Sequence, residues 1–188
     1  GLLTPESHHV EHAADAEAAA REIIRTFHQP VIVKPIGWGS SVGISIVGGY
    51  APVLAAIEKL FDEGVPSVLV EEYIRGREAT VGVVENLRGE ALYVLPTIEI
   101  IPPEGDFYSY DSKYSGATRH ICPGSFSRVV TEELSRAAKV MHRALGLRHY
   151  SRSDFIVTPK GTYYLETNTL PGLTAESNLP IALASVGV

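Results

Sequence analysis

Apolar positions along this chain follow two periods, and each period predicts an element. Ala18, Ile23, Ile24 and Phe27 recur at helical spacing after a polar lead, with Asp15 placed to cap the helix and Gln29-Pro30 to end it. Val31-Ile32-Val33 reads as a buried strand, and Ile44-Ser45-Ile46-Val47 alternates as a second. Gly48-Gly49 interrupts, and Val53, Leu54, Ile57, Leu60 and Phe61 form the stripe of another helix before the strand Val68-Leu69-Val70-Glu71-Glu72. A boundary without a flexible linker follows at Arg75-Gly76-Arg77, so two lobes are expected, residues 1–74 and 75–188. In the second lobe, strands around Ala79–Val84 and Ala91–Val94 read as a meander. Pro102 to Phe126 holds no clear period, and irregular stretches of that length are usually functional or mobile. Thr131-Glu132-Glu133 opens a helix that Gly146 closes. Arg152–Val157 and Thr162–Asn168 then form a hairpin joined at Pro159-Lys160-Gly161.

Composition narrows the class. Hydrophobic residues make up 45% and charged residues 20% of the 188 positions, ordinary values for a packed protein. Sixteen Lys and Arg against 22 Asp and Glu give a net charge of −6, a poor balance for a phosphate-backbone binder, so no nucleic-acid partner is expected. The single cysteine, Cys122, excludes an internal disulfide and a multi-cysteine zinc site. No apolar run reaches the roughly 18 residues of a membrane helix, and Gly1-Leu2-Leu3-Thr4-Pro5 lacks the basic start of a signal peptide. A soluble, cytoplasmic protein mixing helices and strands is expected, without a membrane partner; the absent initiator methionine points to a trimmed or partial chain.

Two stretches can carry chemistry. Gly37-Trp38-Gly39-Ser40-Ser41-Val42-Gly43 exposes backbone N–H groups and hydroxyls that suit phosphate oxygens, with Lys34 as a cation at the preceding strand end. It is not a Walker A loop, since no Lys-Ser or Lys-Thr follows the glycines, and it reads equally as a plain tight hairpin. The terminal hairpin is more informative. A three-residue loop with Gly161 in the left-handed region would pair Thr158 with Thr162, Asp154 with Glu166 and Arg152 with Asn168. Opposed residues share a face, so Arg152, Asp154, Glu166 and Asn168 converge. Carboxylates placed opposite each other repel unless a cation lies between them, and Asp, Glu and Asn are the hard oxygen donors Mg²⁺ takes together with substrate phosphates. The bland alternative is a solvated face on which Arg152 neutralises the acids. A two-residue loop would break this register and send Asp154 and Glu166 to opposite faces. His8-His9-Val10-Glu11-His12 lacks the order of a zinc-protease motif and reads as surface. Tyr108, Tyr110 and Tyr114 cluster with Lys113 in the irregular stretch, as packing aromatics or as a catalytic flap.

Combined in this order, the pieces resemble the ATP-grasp superfamily, and closely its D-alanine–D-alanine ligases. The resemblance runs through Val31-Ile-Val-Lys-Pro35, Gly39-Ser-Ser-Val-Gly43, Val70-Glu-Glu-Tyr-Ile74 with Glu78-Ala-Thr80, and Phe107-Tyr108 to Lys113-Tyr114. It continues through Arg152-Ser-Asp154, Leu165-Glu-Thr-Asn168 and Pro171-Gly-Leu-Thr174 to Ser177, covering essentially the whole chain. It implies an α+β ATP-grasp fold of two lobes, each with an antiparallel or mixed sheet packed on helices, and ATP between them. It further implies that Lys34 contacts ATP phosphates under a loop of Ser40, Ser41 and Val42. Glu71, Glu72, Tyr73, Ile74, Phe107 and Leu165 would hold adenine, and Glu78 the ribose. Lys113 would reach the γ-phosphate, with Tyr114 ordering its mobile loop against Ser40. Asp154, Glu166 and Asn168 would bind two Mg²⁺ ions (or Mn²⁺), Arg152 would stabilise the tetrahedral intermediate, and Gly172 and Ser177 would hold the second D-alanine. The implied reaction joins two D-alanines through an acyl phosphate for peptidoglycan precursors, and Lys113-Tyr114 favours dipeptide over depsipeptide formation. Rival readings are another ATP-grasp carboxylate–amine ligase or an ATP-binding fragment inactive alone. Trp38 departs from the more usual polar residue in its loop. The resemblance also implies a missing N-terminal ligase domain that supplies part of the first-substrate site, and a homodimeric full-length protein.

Overall fold

The computed structural model describes residues 2–39, 41–102 and 118–188. They form two compact units, one built from Pro5–Ile74, the other from residues 2–4 together with 75–102 and 118–188.

The first unit contains β1 (Ser7–Val10), α1 (Ala16–Thr26), β2 (Val31–Pro35), β3 (Ser45–Val47), α2 (Tyr50–Asp62) and β4 (Val68–Glu72). Its strands lie in the order β1-β4-β2-β3, all antiparallel. Alternation along β2 and β4 buries Val31, Val33, Val68 and Val70 against Ala19, Ala20 and Ile23 of α1 and Val53, Ile57 and Leu60 of α2. The opposite positions, Ile32, Lys34, Leu69 and Glu71, share the other face, because Ile32 pairs with Glu71 and Lys34 with Leu69. β1 lies in the stretch read from sequence as a polar lead. Its Ser-His-His-Val buries only Val10, which leaves too little apolar alternation to announce a strand. Asp15 precedes α1 as expected, but its backbone is helical and its side chain makes no capping hydrogen bond.

The second unit contains β5 (Arg77–Leu87), β6 (Glu90–Val94), β7 (Ile98–Ile101), β8 (Arg119–Ile121), α3 (Arg128–Ala144), β9 (Tyr150–Thr158), β10 (Gly161–Asn168) and α4 (Asn178–Ala184). The sheet order is β10-β9-β5-β7-β8, with β6 also on β5, and every pair is antiparallel. Ala79, Val81, Val83 and Phe155 turn one face towards Leu134, Ala137 and Ala138 of α3. On the other face α4 presses close to β5: a Cβ at Gly82 would lie 2.7 Å from Leu179 Cδ1 and 2.8 Å from Leu95 Cδ1. The stretch read as irregular up to Phe126 thus contains β8. The helix expected from Thr131 begins a turn earlier, capped by Ser127 Oγ, which accepts from Val130 N. Leu3 bridges Tyr163 in parallel, and Tyr164 N donates to Leu3 O at 2.8 Å, so the first residues lie along β10.

The hairpin corrects the expected register. Gly161 pairs with Thr158, leaving a two-residue loop, Pro159-Lys160. Thr158 Oγ1 closes it, accepting from Lys160 N at 3.1 Å and donating to Gly161 O at 2.9 Å. Tyr164 then faces Phe155, and such a register would put Leu165 opposite Asp154. A β-bulge between Tyr164 and Glu166 shifts the pairing by one residue, so Glu166 pairs with Asp154 and Asn168 with Arg152. Thr162 therefore faces Val157 and not Thr158 as expected, whereas the expected Asp154–Glu166 and Arg152–Asn168 pairs are present because the bulge at Leu165, and not the loop, produces them.

Candidate functional site

β9 separates its side chains by alternation. Ser151, Ser153 and Phe155 are buried on the α3 side, while Arg152 and Asp154 project, part-exposed, from the other. Across β9, Thr80 and Gly82 of β5 pair with Asp154 and Arg152. On its other side the bulged β10 brings Glu166 and Asn168 to the same face.

Asp154 is the hub. Arg152 grips it with two hydrogen bonds, Nε to Oδ1 at 3.0 Å and Nη2 to Oδ2 at 2.9 Å. Thr80 Oγ1 donates to Oδ1 at 2.5 Å from a position only 1% exposed. Asn168 Nδ2 bridges both carboxylates, 3.2 Å from Asp154 Oδ2 and 3.1 Å from Glu166 Oε1. Among the described residues the cluster brings two carboxylates together with one guanidinium, so this described set carries more negative than positive charge. An amide N–H₂ lies where the two carboxylates approach, the place a cation would take, and its rotation would offer Oδ1 instead. Oxygen donors of this kind, in this number, suit Mg²⁺ completed by phosphate oxygens. No group of three or more His, Cys, Asp or Glu able to hold a metal occurs among the described residues, so the amide is a necessary member of this donor set.

The first unit holds a second polar pair. Lys34 Nζ lies 2.5 Å from Glu71 Oε2, with side chains 22% and 12% exposed. The adjoining loop turns through Ser41 (φ 60) and Gly43 (φ 75), and Val42 N bonds Gly39 O at 3.2 Å. Val42 and Trp38 are exposed there. Glu72 N is taken by Glu6 O at 2.9 Å, and Tyr73 and Ile74 follow as β4 ends.

Glu78 lies on β5 and pairs with Ile156, so it shares the face of Asp154. Leu165 is the bulge residue, 36% exposed. Gly172 and Ser177 come together, since a Cβ at Gly172 would lie 2.7 Å from Ser177 Oγ, which also bonds Thr174 Oγ1 at 2.8 Å. Ser40, Phe107, Lys113 and Tyr114 lie outside the described residues. Sequence reasoning gave no role to Thr80, although it stands in the quoted Glu78-Ala-Thr80. A hydroxyl at strand period from Glu78, on a strand that must pair with the Arg-Ser-Asp strand, was the available signal.

Glu99, which is buried, and His120, which is half-buried, have shifted acidities. For Glu99, burial pushes the carboxyl up, but Arg77 at 2.6–2.7 Å and the Ser125 N–H at 3.0 Å together hold it below its ordinary value. For His120, burial pushes the imidazole below its ordinary value, with Asn178 partly opposing.

The fold is that of the ATP-grasp class. The structure superposes on that of the VanG D-Ala:D-Ser ligase from Enterococcus faecalis with a TM-score of 0.83, at 31% identity, over 100% of this chain and 54% of the other. It also superposes on a Bacillus anthracis D-alanine–D-alanine ligase complexed with ATP, with a TM-score of 0.79 at 26% identity, over 100% and 56% of the two chains. Within that class the chain belongs to the family described as D-ala D-ala ligase C-terminus, whose pattern matches residues 1–188. It is 43% identical to the D-alanine–D-alanine ligase of Syntrophobacter fumaroxidans over 85% of its own length and 50% of the relative's. The chain therefore spans about half the length of the curated relatives it matches. No helix among the described residues is long and apolar enough to cross a membrane.

Proposed function

We propose that this chain carries the nucleotide and metal half of a ligase that joins two D-alanines at the expense of ATP. The observation that supports this most is the gathering of Arg152, Asp154, Glu166 and Asn168 on one face, with one cation for two carboxylates among the described residues. In this reading a carboxylate oxygen of the first D-alanine attacks the γ-phosphorus and ADP leaves. The amine of the second then attacks the acyl carbon, loses a proton and expels phosphate. Asp154, Glu166 and Asn168 would hold Mg²⁺, which would supply charge neutralisation for the phosphates.

The protein's own groups bind and orient. Lys34 contacts phosphate oxygens in competition with Glu71, and Ser40, Ser41 and Val42 cover them through backbone and hydroxyl groups. Glu71, Glu72, Tyr73, Ile74, Phe107 and Leu165 hold adenine, and Glu78 takes the ribose hydroxyls. Lys113 and Tyr114 act on the γ-phosphate side. Arg152 stabilises the negative charge that develops on the attacked carbonyl oxygen. Gly172, which leaves room beside Ser177, and Ser177 itself receive the second amino acid. We assign this work to the cytoplasm and to a homodimeric full-length protein with an N-terminal domain; light scattering of such a protein checks the dimer.

The test is phosphate release from ATP with D-alanine, D-serine or D-lactate, by this chain alone and mixed with the N-terminal half of the Syntrophobacter fumaroxidans ligase. D-Alanine-dependent release only in the mixture, abolished by Arg152→Met, is the expected result. Release that ignores D-alanine, or that depends on another acid, overturns the substrate assignment.

A further inference from the structure

Asp154 is not held like Glu166. Among the described residues, Glu166 is exposed and takes one hydrogen bond, from Asn168. Asp154 receives four from them, two at each oxygen: Thr80 and Arg152 Nε at Oδ1, Arg152 Nη2 and Asn168 Nδ2 at Oδ2. A divalent cation needs a carboxylate lone pair, so it must displace one of these donors. Arg152 and Asn168 sit on long or rotatable side chains that are part-exposed, and each has other work in the proposed reaction. Thr80 does not share that freedom. It is 1% exposed, its χ1 is restricted by branching at Cβ, and its strand pairs with β9 in register at this residue. Its single proton has two acceptors in reach, Asp154 Oδ1 at 2.5 Å and Ser153 O at 3.3 Å, and the shorter contact, to a charged oxygen, takes it.

We propose that Thr80 is a positioning residue for metal binding: its buried hydroxyl fixes the Asp154 carboxylate through Oδ1, so that Oδ2 is presented to the cation when Arg152 and Asn168 yield. This deepens the metal reading above and rests on it. Partners that hold a ligating carboxylate commonly matter by about 10–100-fold in metal affinity. Thr80 therefore contributes to the strength of the metal site without touching metal or nucleotide.

The test uses the full chain and a β,γ-imido analogue of ATP, with dissociation constants measured by calorimetry in EDTA and in saturating MgCl₂. Their ratio measures how far Mg²⁺ strengthens nucleotide binding. Thr80→Val keeps the shape and removes the hydroxyl; it should cut that ratio by about 10-fold or more while leaving the constant in EDTA unchanged. Thr80→Ser keeps the hydroxyl and should restore most of the ratio. Melting curves of both variants in EDTA monitor folding. A Thr80→Val ratio equal to wild type overturns the proposal, as does a Thr80→Ser variant as defective as Thr80→Val, or an equal loss in EDTA. Asp154→Asn separates the two levels. If it abolishes the ratio while Thr80→Val does not change it, only the role of Thr80 fails; if it leaves the ratio intact, the metal assignment falls and this inference with it.

Discussion

The Lys34–Glu71 pair and the Asp154 cluster are both polar sites on an antiparallel sheet, yet they balance charge differently. At Lys34 one ammonium meets one carboxylate at 2.5 Å, both largely shielded from water. Among the described residues the Asp154 cluster holds one guanidinium, bound to Asp154, for two carboxylates, and an amide bridges them. Among the described residues the first site is neutral, and a phosphate must draw Lys34 away from Glu71; the second carries more carboxylates than cations. Closeness of opposite charges alone thus says little about function, whereas an unbalanced cluster of oxygen donors has a defined chemical appetite.

Inserting one alanine between Leu165 and Glu166 should break that contrast most strongly. With the bulge kept, the inserted residue takes the place opposite Asp154 and Glu166 moves opposite Ser153, on the other face of β10, so the Mg²⁺-dependent strengthening of nucleotide binding should fall on the order of 100-fold. Calorimetry with and without Mg²⁺ reads this directly. Paired substitutions come next. Glu71→Gln strands the shielded Lys34 and should lower stability to urea by about 1–3 kcal/mol. Glu166→Gln relieves repulsion on an exposed side chain, should change stability by about 0.5 kcal/mol or less, and should still cost about 10-fold in the Mg²⁺ effect. Equal stability losses for the two variants would erase the distinction between the sites.

Acid provides a milder probe of the second unit. His120 and Glu99 both titrate below their ordinary values, so the unfolded chain binds protons more readily than the folded one. Stability is therefore fully present above the ordinary values and is lost as pH falls through the lowered ones. His120 acts first, just below the usual imidazole range, and Glu99 follows in the carboxylate range. Urea midpoints from pH 7 to 3 should show two steps, and His120→Gln should remove the earlier one. The smallest effect is expected at Arg21, an exposed partner of Glu17 at 3.6 Å on α1. Arg21→Ala should change stability by about 0.5 kcal/mol or less in the same assay.

The sequence made the site more legible than its causes. Alternation in Arg152-Ser-Asp and Glu166-Thr-Asn168 put the right side chains together because strand period is robust over short spans. The loop that was meant to set their register is a residue shorter, and the compensating bulge sits at an ordinary leucine that carries no signal. β1 and β8 escaped because each is short and half-exposed, so hydrogen bonding to a neighbour defines them more than apolar pattern does. The strand order β1-β4-β2-β3 is equally invisible along the chain, since it depends on which edges meet. Thr80 was hidden for the same reason: its meaning comes from Asp154, 74 residues away.

One small feature bears on how this protein can be cut. Leu3 lies along β10 and accepts a hydrogen bond from Tyr164, although the chain then departs to build the other unit from Pro5 to Ile74. A clone starting at Arg75 would therefore lack part of its own unit and leave the outer rim of β10 bare, an invitation to sticky edge-to-edge assembly. Anyone wishing to express that unit separately should graft Leu2-Leu3-Thr4 back alongside β10, or place a charged residue on the rim.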